Sequence, residues 1–192
     1  YKNPFHPSTY AHFVARKDYR KTYDVYKDDT LLNRQPKKSR KIFVCLDEQR
    51  GQYLVDGLVA MDFPLSSGVK AYPTKTGDYA VISKKEDHTS NLYGKMYDAE
   101  GKCINYNAES TDPIPEGGRF DGSPMPYWQR LTNAGLGLHV GKVRRHPVSH
   151  GCVRLPRNVA EILYRQTSIG TPVTIRKTPL PVPEAQKVPA AQ

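Results

Sequence analysis

From Lys41 the chain alternates. Ile42, Val44 and Leu46 take turns with Phe43, Cys45 and Asp47, the period of two that a half-buried strand requires. Next, "QYLVDGLVAMDF" sets Asp56-Gly57 between two apolar runs. Asp-Gly suits the positive φ angles of a two-residue type I′ turn, so this stretch predicts a hairpin. "PTKTGDYAVISK" adds a strand behind a turn punctuated by Pro and Gly, and residues 125–131 and 136–140 read as further short strands. The pattern switches to a helical one only once inside this region. There Pro156 suits a first-turn position, Val159, Ile162 and Leu163 form an apolar stripe, Gly170 provides a stop, and a last strand runs from Thr171 to Ile175. The predicted domain is mainly β.

The flanks read differently. In residues 1–38, Tyr19, Tyr23 and Tyr26 fall at helical spacing, with Leu31 and Leu32 after them, which predicts a helical lead-in whose tyrosine stripe packs on the main domain. "KKSRK" then reads as a solvated linker. Residues 178–192 hold too much Pro and too little apolar content to fold, which predicts a tail or an extended spacer. Between Ala99 and Pro124 neither period holds and several Gly and Pro occur, so the segment is read as a long loop, either a lid over a site or a disordered insertion.

Composition narrows the picture. A length of 192 residues suits one ordinary domain with a full core and some extra at its ends. With no initiator Met and no apolar run long enough to span a bilayer, the sequence reads as a mature or trimmed soluble product. A net charge of +10 favours anionic partners. Three cysteines, Cys45, Cys103 and Cys152, are an odd count. In an oxidising compartment Cys45 and Cys103 would pair and leave Cys152 a thiol; otherwise they are small buried hydrophobes.

The candidate chemistry lies in "LHVGKVRRHPVSHGCVRLP", residues 138–156. Zinc would use His139, His146, His150 and Cys152, but His-Gly-Cys is not a familiar paired-ligand spacing. Lys142, Arg144 and Arg145 would contact phosphates in a nucleic-acid loop, yet no stacking residue stands beside them. A cysteine nucleophile gives every residue a role. A free thiol, with pKa about 8.5, needs a neighbouring imidazole or other positive field, and His139 and His150 are the candidates. Gly151 leaves room for a carbonyl substrate, and backbone N–H groups near Gly151 and Cys152 would stabilise an oxyanion.

"SHGCVR" preceded by "GLHVG" resembles the signature of the L,D-transpeptidase catalytic domain, the YkuD-like family. The stretch from Ile42 to Lys84 resembles that family's opening, and "MPYWQRLTNAGLGLHVG" resembles the approach to its first catalytic His. The resemblance implies a fold of mixed β-sheets, sandwich-like, with one short helix after Cys152. It divides the chain into an extension (1–38), a catalytic domain (39–177) and a tail (178–192). It implies Cys152 as nucleophile and His139 as base, oriented by a main-chain carbonyl near Val140. Ser149, His150 and Gly151 support the oxyanion, and Arg154, Tyr127 and Trp128 contact substrate. The implied reaction transfers a peptidoglycan stem peptide, through a thioester, to an acceptor amine on a second stem or an envelope protein, in the periplasm or cell envelope, with no cofactor, metal or nucleic acid. A stem-trimming hydrolase and a non-catalytic wall-binding module are the rival readings. Two features depart from the commonest family pattern: only nine residues, 140–148, separate His139 from Ser149, and Arg154 stands in place of a frequent Asn. Arg154 would then hold a substrate carboxylate or sit in a structural ion pair.

Overall fold

A computed structural model describes residues 9–36 and 39–187. The lead-in holds a short helix α1 (Tyr10–Val14), a two-residue strand β1 (Tyr26–Lys27) and a short helix α2 (Asp29–Leu32). Thr9 caps α1 and Asp28 caps α2 through side-chain oxygens that accept backbone N–H groups. The tyrosines do not share a helix. Tyr26 lies in β1, Tyr19 lies in the turns after α1, and Tyr23 is exposed. Tyr19 and Tyr26 do pack on the main domain, in a cluster with Tyr10, Phe13 and Val59. A stripe at intervals of three to four is compatible with any chain path that returns to the same apolar surface. Of the "KKSRK" stretch, Lys37 and Lys38 lie outside the described residues, while Arg40 and Lys41 already belong to the next strand.

That strand is β2 (Arg40–Cys45), followed by β3 (Arg50–Val55) and β4 (Leu58–Pro64). The predicted turn joins β3 to β4, with Asp56 at φ 51° and Gly57 at φ 78°. The segment expected to give one strand gives two, β5 (Gly77–Ala80) and β6 (Ser83–Lys85), because the chain changes sheets between them. Val81 N–H bonds to Thr171 O while Ile82 N–H bonds to Arg130 O, so the two sheets are stitched at adjacent residues. Residues 99–124 are no loop. With β7 (Thr89–Tyr97), β8 (Cys103–Glu109) and β9 (Arg119–Pro124) they make a separate three-stranded sheet in the order β8-β7-β9. Its register shifts repeatedly, which erased the period of two from the sequence.

The remaining elements are β10 (Trp128–Arg130), β11 (Gly137–Val140), β12 (Val153–Leu155), helix α3 (Arg157–Gln166) and β13 (Pro172–Arg176). They complete a six-stranded sheet, β1-β4-β3-β2-β13-β5, and a four-stranded sheet, β12-β11-β10-β6. Both are mixed: β13 is parallel to β2, and β12 is parallel to β11. Ile42, Val44, Val173 and Ile175 from the first sheet meet Leu138, Val153 and Leu155 from the second, with Val159 and Leu163 of α3 in the same core. The fold is mainly β with mixed sheets, as expected.

Strand β2 is buried on both faces from Ile42 onward rather than half-buried. The outer face of this sheet is covered at Leu54 and Val59 by the lead-in aromatics and by Leu180 and Val182 of the Pro-rich stretch. That stretch is not a free spacer up to Lys187. The Gln186 amide accepts from Val59 N–H at 2.7 Å and donates to Val59 O at 3.1 Å, pairing β4 as a neighbouring strand would. Residues 188–192 lie outside the described residues. Among the described residues no helix is long and apolar enough to cross a membrane, and Cys45, Cys103 and Cys152 are all unpaired.

Candidate active site

Parallel pairing of β11 with β12 sets Leu138 opposite Val153, His139 opposite Arg154 and Val140 opposite Leu155. Residues opposite each other in parallel register point to the same side, so His139 and Arg154 share one face, and Cys152 stands immediately before β12 at the edge of the same cleft. Leu138, Val153 and Leu155 take the other and anchor the site in the core. His139 and Cys152, thirteen positions apart in the chain, therefore line one cleft.

The imidazole of His139 is buried, with Nδ1 2.7 Å from the Val140 carbonyl. A carbonyl only accepts, so Nδ1 carries the proton and Nε2 is left as the basic nitrogen. Burial pushes the ring's pKa down to about 4, helped by the charge of Arg154 and opposed by the Val140 bond. Burial likewise pushes the Cys152 thiol above its ordinary value, while the Gly137 N–H and the charges of Arg154 and Arg130 act against it. The resting pair is a neutral thiol and a neutral imidazole. Such a pair attacks by passing the thiol proton to the ring as the sulfur bond forms, not from a standing thiolate. At rest the thiol donates weakly to Gly135 O, at 3.3 Å.

Cys152 sits at the end of a tightly held turn. Ser149 Oγ donates to Cys152 O and accepts from Gly151 N–H at 3.2 Å, and Gly151 adopts φ 115°, a conformation that favours glycine. The Gly151 N–H, expected to face an oxyanion, is thus engaged by the turn itself. Thr74 Oγ1 donates to Gly151 O at 2.6 Å and accepts from Gly68 N–H at 2.8 Å. Ser67 O accepts from the N–H groups of Val148 and Ser149, and Ser67 is itself gripped by Gln49 through two hydrogen bonds. A Cβ on Gly68 would lie 2.1 Å from Tyr72 O and 2.8 Å from Gly151 Cα, so this support needs glycine there. Gln49, Ser67 and Thr74 all fall in the Ile42–Lys84 stretch that resembles the family's opening, in its Gln-containing turn, Ser-Gly turn and Pro-Thr-x-x-Gly segment, but that likeness carried no role for them in the site.

His150 lines the same cleft, and its ring is engaged by aromatic neighbours. The imidazole stacks on Tyr93 of β7 (centroids 4.4 Å apart, planes at 15°) and contacts Tyr72 (4.8 Å), whose hydroxyl donates to Glu109 of β8. The ring clasps the three-stranded sheet to the catalytic turn. Trp128 lines the cleft 6.1 Å from the His139 ring and stacks on His88. Tyr127 does not line it. Its φ of 54° turns the side chain to the core, edge-on to Tyr164 of α3 at 5.5 Å. His146 is exposed and outside the cleft, and among the described residues no His, Cys, Asp and Glu cluster is placed to hold a metal.

Arg154 is half-buried, its stem against Gly141 and its guanidinium facing the cleft, and among the described residues it makes no side-chain hydrogen bond or ion pair. Among the described residues the structural ion pair considered for it is therefore not formed. Arg130, His88 and Tyr93, which belong to no motif, also line the cleft, and among the described residues no Asp or Glu does. An anionic ligand suits this lining.

A family model described as the L,D-transpeptidase catalytic domain matches residues 39–175. The chain belongs to this family. It is 31% identical over 121 residues to the probable L,D-transpeptidase 3 of Mycobacterium tuberculosis, covering 59% of this chain and 38% of that relative. It thus spans well under half of the relative's length. The L,D-transpeptidase fold also agrees with solved structures. A Mycobacterium smegmatis L,D-transpeptidase superposes with TM-score 0.55 at 22% identity, covering 72% of this chain and 58% of that one. L,D-transpeptidase 3 of M. tuberculosis, solved with a faropenem-derived adduct, gives 0.52 at 24% identity, covering 72% and 60%. The lead-in lies outside the L,D-transpeptidase match, as do residues 176–192.

Proposed function

We propose that this chain is a cysteine acyltransferase acting on peptidoglycan stem peptides in the cell envelope. Cys152 Sγ attacks the carbonyl that joins a stem's L-centre to its terminal D-residue, as Nε2 of His139 takes the thiol proton. The tetrahedral intermediate collapses with cleavage of the C–N bond. His139 returns the proton to the leaving amine, so free D-Ala departs and a thioester remains. The side-chain amine of a diamino acid on a second stem then attacks the thioester, gives up its proton to His139 and restores the thiol. Arg154 holds a carboxylate of the donor stem.

The observation that carries this reading is the Nδ1–Val140 bond, which leaves Nε2 free in the cleft that Cys152 also lines. The carboxylate-free cleft with Arg130 and Arg154 supports a substrate ending in a free carboxylate. The test is intact-mass analysis of the protein incubated with purified muropeptides. A covalent adduct on Cys152, absent in Cys152→Ala, and a crosslinked product are expected. Products that incorporate only water would identify a hydrolase instead, and absence of any Cys152-dependent chemistry would defeat the proposal.

A further inference from the structure

The loop 141–148 joins the strand of the base to the turn of the nucleophile. It is tied at both ends: Gly141 N–H bonds to Leu155 O, Arg144 N–H to Ser66 Oγ, and Val148 N–H to Ser67 O. Between these ties stands Arg145, a non-glycine residue at φ 55°. That left-handed conformation is unfavourable for a side chain with a Cβ, and an observed outlier of this kind calls for a compensating contact. The contact is with the lead-in. Arg145 Nη1 donates to Thr22 O at 2.9 Å and Nη2 to Glu48 O at 2.7 Å, with the guanidinium half-buried. Thr22 O also accepts from Arg50 Nη1 at 3.1 Å, and Asp24 O accepts from Arg50 Nη2. Arg50 is fully buried, ion-paired to Asp62, and has the Phe13 and Tyr19 rings at 5.3 and 4.9 Å.

Two guanidinium groups thus converge on one carbonyl of a segment that lies outside residues 39–175. One of them comes from the core sheet. The other comes from the loop whose ends are His139 and Ser149. We infer that Arg145 is a positioning residue that couples the lead-in to the segment carrying Cys152, making residues 10–27 part of the acylation machinery. Because only nine residues, 140–148, separate His139 from Ser149, slack in them becomes slack between imidazole and sulfur, and a displacement of about 1 Å costs on the order of 100-fold in rate. The inference rests on the acylation reading above for its consequence, and on the hydrogen bonds alone for the coupling.

The experiment compares Arg145→Ala, Arg145→Lys, Phe13→Ala and the Arg145→Ala/Phe13→Ala pair with the unaltered chain. It measures the second-order rate of Cys152 acylation by imipenem, the rate of Cys152 alkylation by iodoacetamide (peptide-mapped, since Cys103 is also partly accessible), and the melting temperature. Arg145→Ala is expected to slow acylation about tenfold or more while it remains folded. Arg145→Lys, which reaches one carbonyl, recovers part of the loss. Phe13→Ala, remote from the sulfur, slows acylation in the same direction, and the double variant is no worse than the slower single one, as coupled residues behave. Acylation within about twofold of the unaltered rate in folded Arg145→Ala, or effects that simply multiply in the double variant, overturns the coupling. If the unaltered chain forms no imipenem adduct, the acylation reading fails by itself. The coupling is then judged by alkylation, where an unchanged Cys152 rate in Arg145→Ala overturns it and an altered one, recovered in part by Arg145→Lys, supports it.

Discussion

At the scale of single residues, the proposed chemistry falls to two neutral groups, Cys152 and His139, and Arg154 has no side-chain partner among the described residues. In the proposed reaction His139 is the base, a role its ring can fill only while unprotonated. With its pKa pushed down to about 4 by burial, the rate of acylation per folded molecule should hold from neutral pH down to about 5 and fall only near 4, where an ordinary histidine would already cut activity below about 6.5. A pH–rate profile checks this, and an acid limb near 6.5 contradicts it. The same shift has a stability consequence. The folded pKa lies below the unfolded one, so as pH falls the unfolded chain takes up the proton first; the contribution is intact above about 6.5 and is lost on the way down to about 4. The difference is on the order of 3 kcal/mol, and urea titrations should show it missing in His139→Gln. Arg154 gives the opposite signature. Replacing it with Met removes a half-buried charge that has no partner among the described residues, so the melting temperature should hold or rise. Donor affinity should meanwhile fall by about 10- to 100-fold, the worth of a charge-assisted bond. Lost stability with unchanged KM would assign Arg154 a structural role instead.

At the scale of elements, the three-stranded sheet β8-β7-β9 is held to the catalytic turn largely by aromatic contacts. Tyr93, Tyr72 and His150 form a three-ring cluster, Tyr93 stacked on His150 and Tyr72 edge-on to Tyr93, and Tyr72 bonds to Glu109. Tyr93→Ala should leave global stability within about 1 kcal/mol while raising amide exchange in β7 and β8 severalfold, since the sheet opens locally without unfolding the core. Hydrogen exchange with mass readout measures both. Uniform exchange across the molecule would place the sheet within the main cooperative unit. This sheet was also the element least legible in the sequence. Its strands are mostly exposed on both faces, so no apolar alternation marks them, and only the register-shifted pairing of β7 with both neighbours reveals it. The β3–β4 hairpin was legible because Asp56-Gly57 dictates its turn locally, and α3 because Val159, Ile162 and Leu163 repeat at helical spacing.

At the scale of the whole molecule, the lead-in and the Pro-rich stretch act as a second layer over β3 and β4. Its centre is Asp62, which accepts from Arg50, Gln52, Tyr10 and Tyr19 with no exposure to solvent. Asp62→Ala leaves the Arg50 charge buried and uncompensated, and should destabilise the fold by about 3–5 kcal/mol in urea unfolding. A loss below about 1 kcal/mol would mean the lead-in detaches at little cost. The sequence by itself determined the β-rich domain, its hairpin and helix, and the pairing of Cys152 with His139 as chemical candidates, because turn residues, periodicity and a dense motif are local properties of the chain. Only the tertiary structure decided that the ring of His150 is a clasp, that Tyr127 faces the core, that residues 99–124 build a sheet, and that Arg145 reaches Thr22. Each of those outcomes depends on which distant segment arrives alongside, and a contact between residues far apart in the chain leaves no period to read.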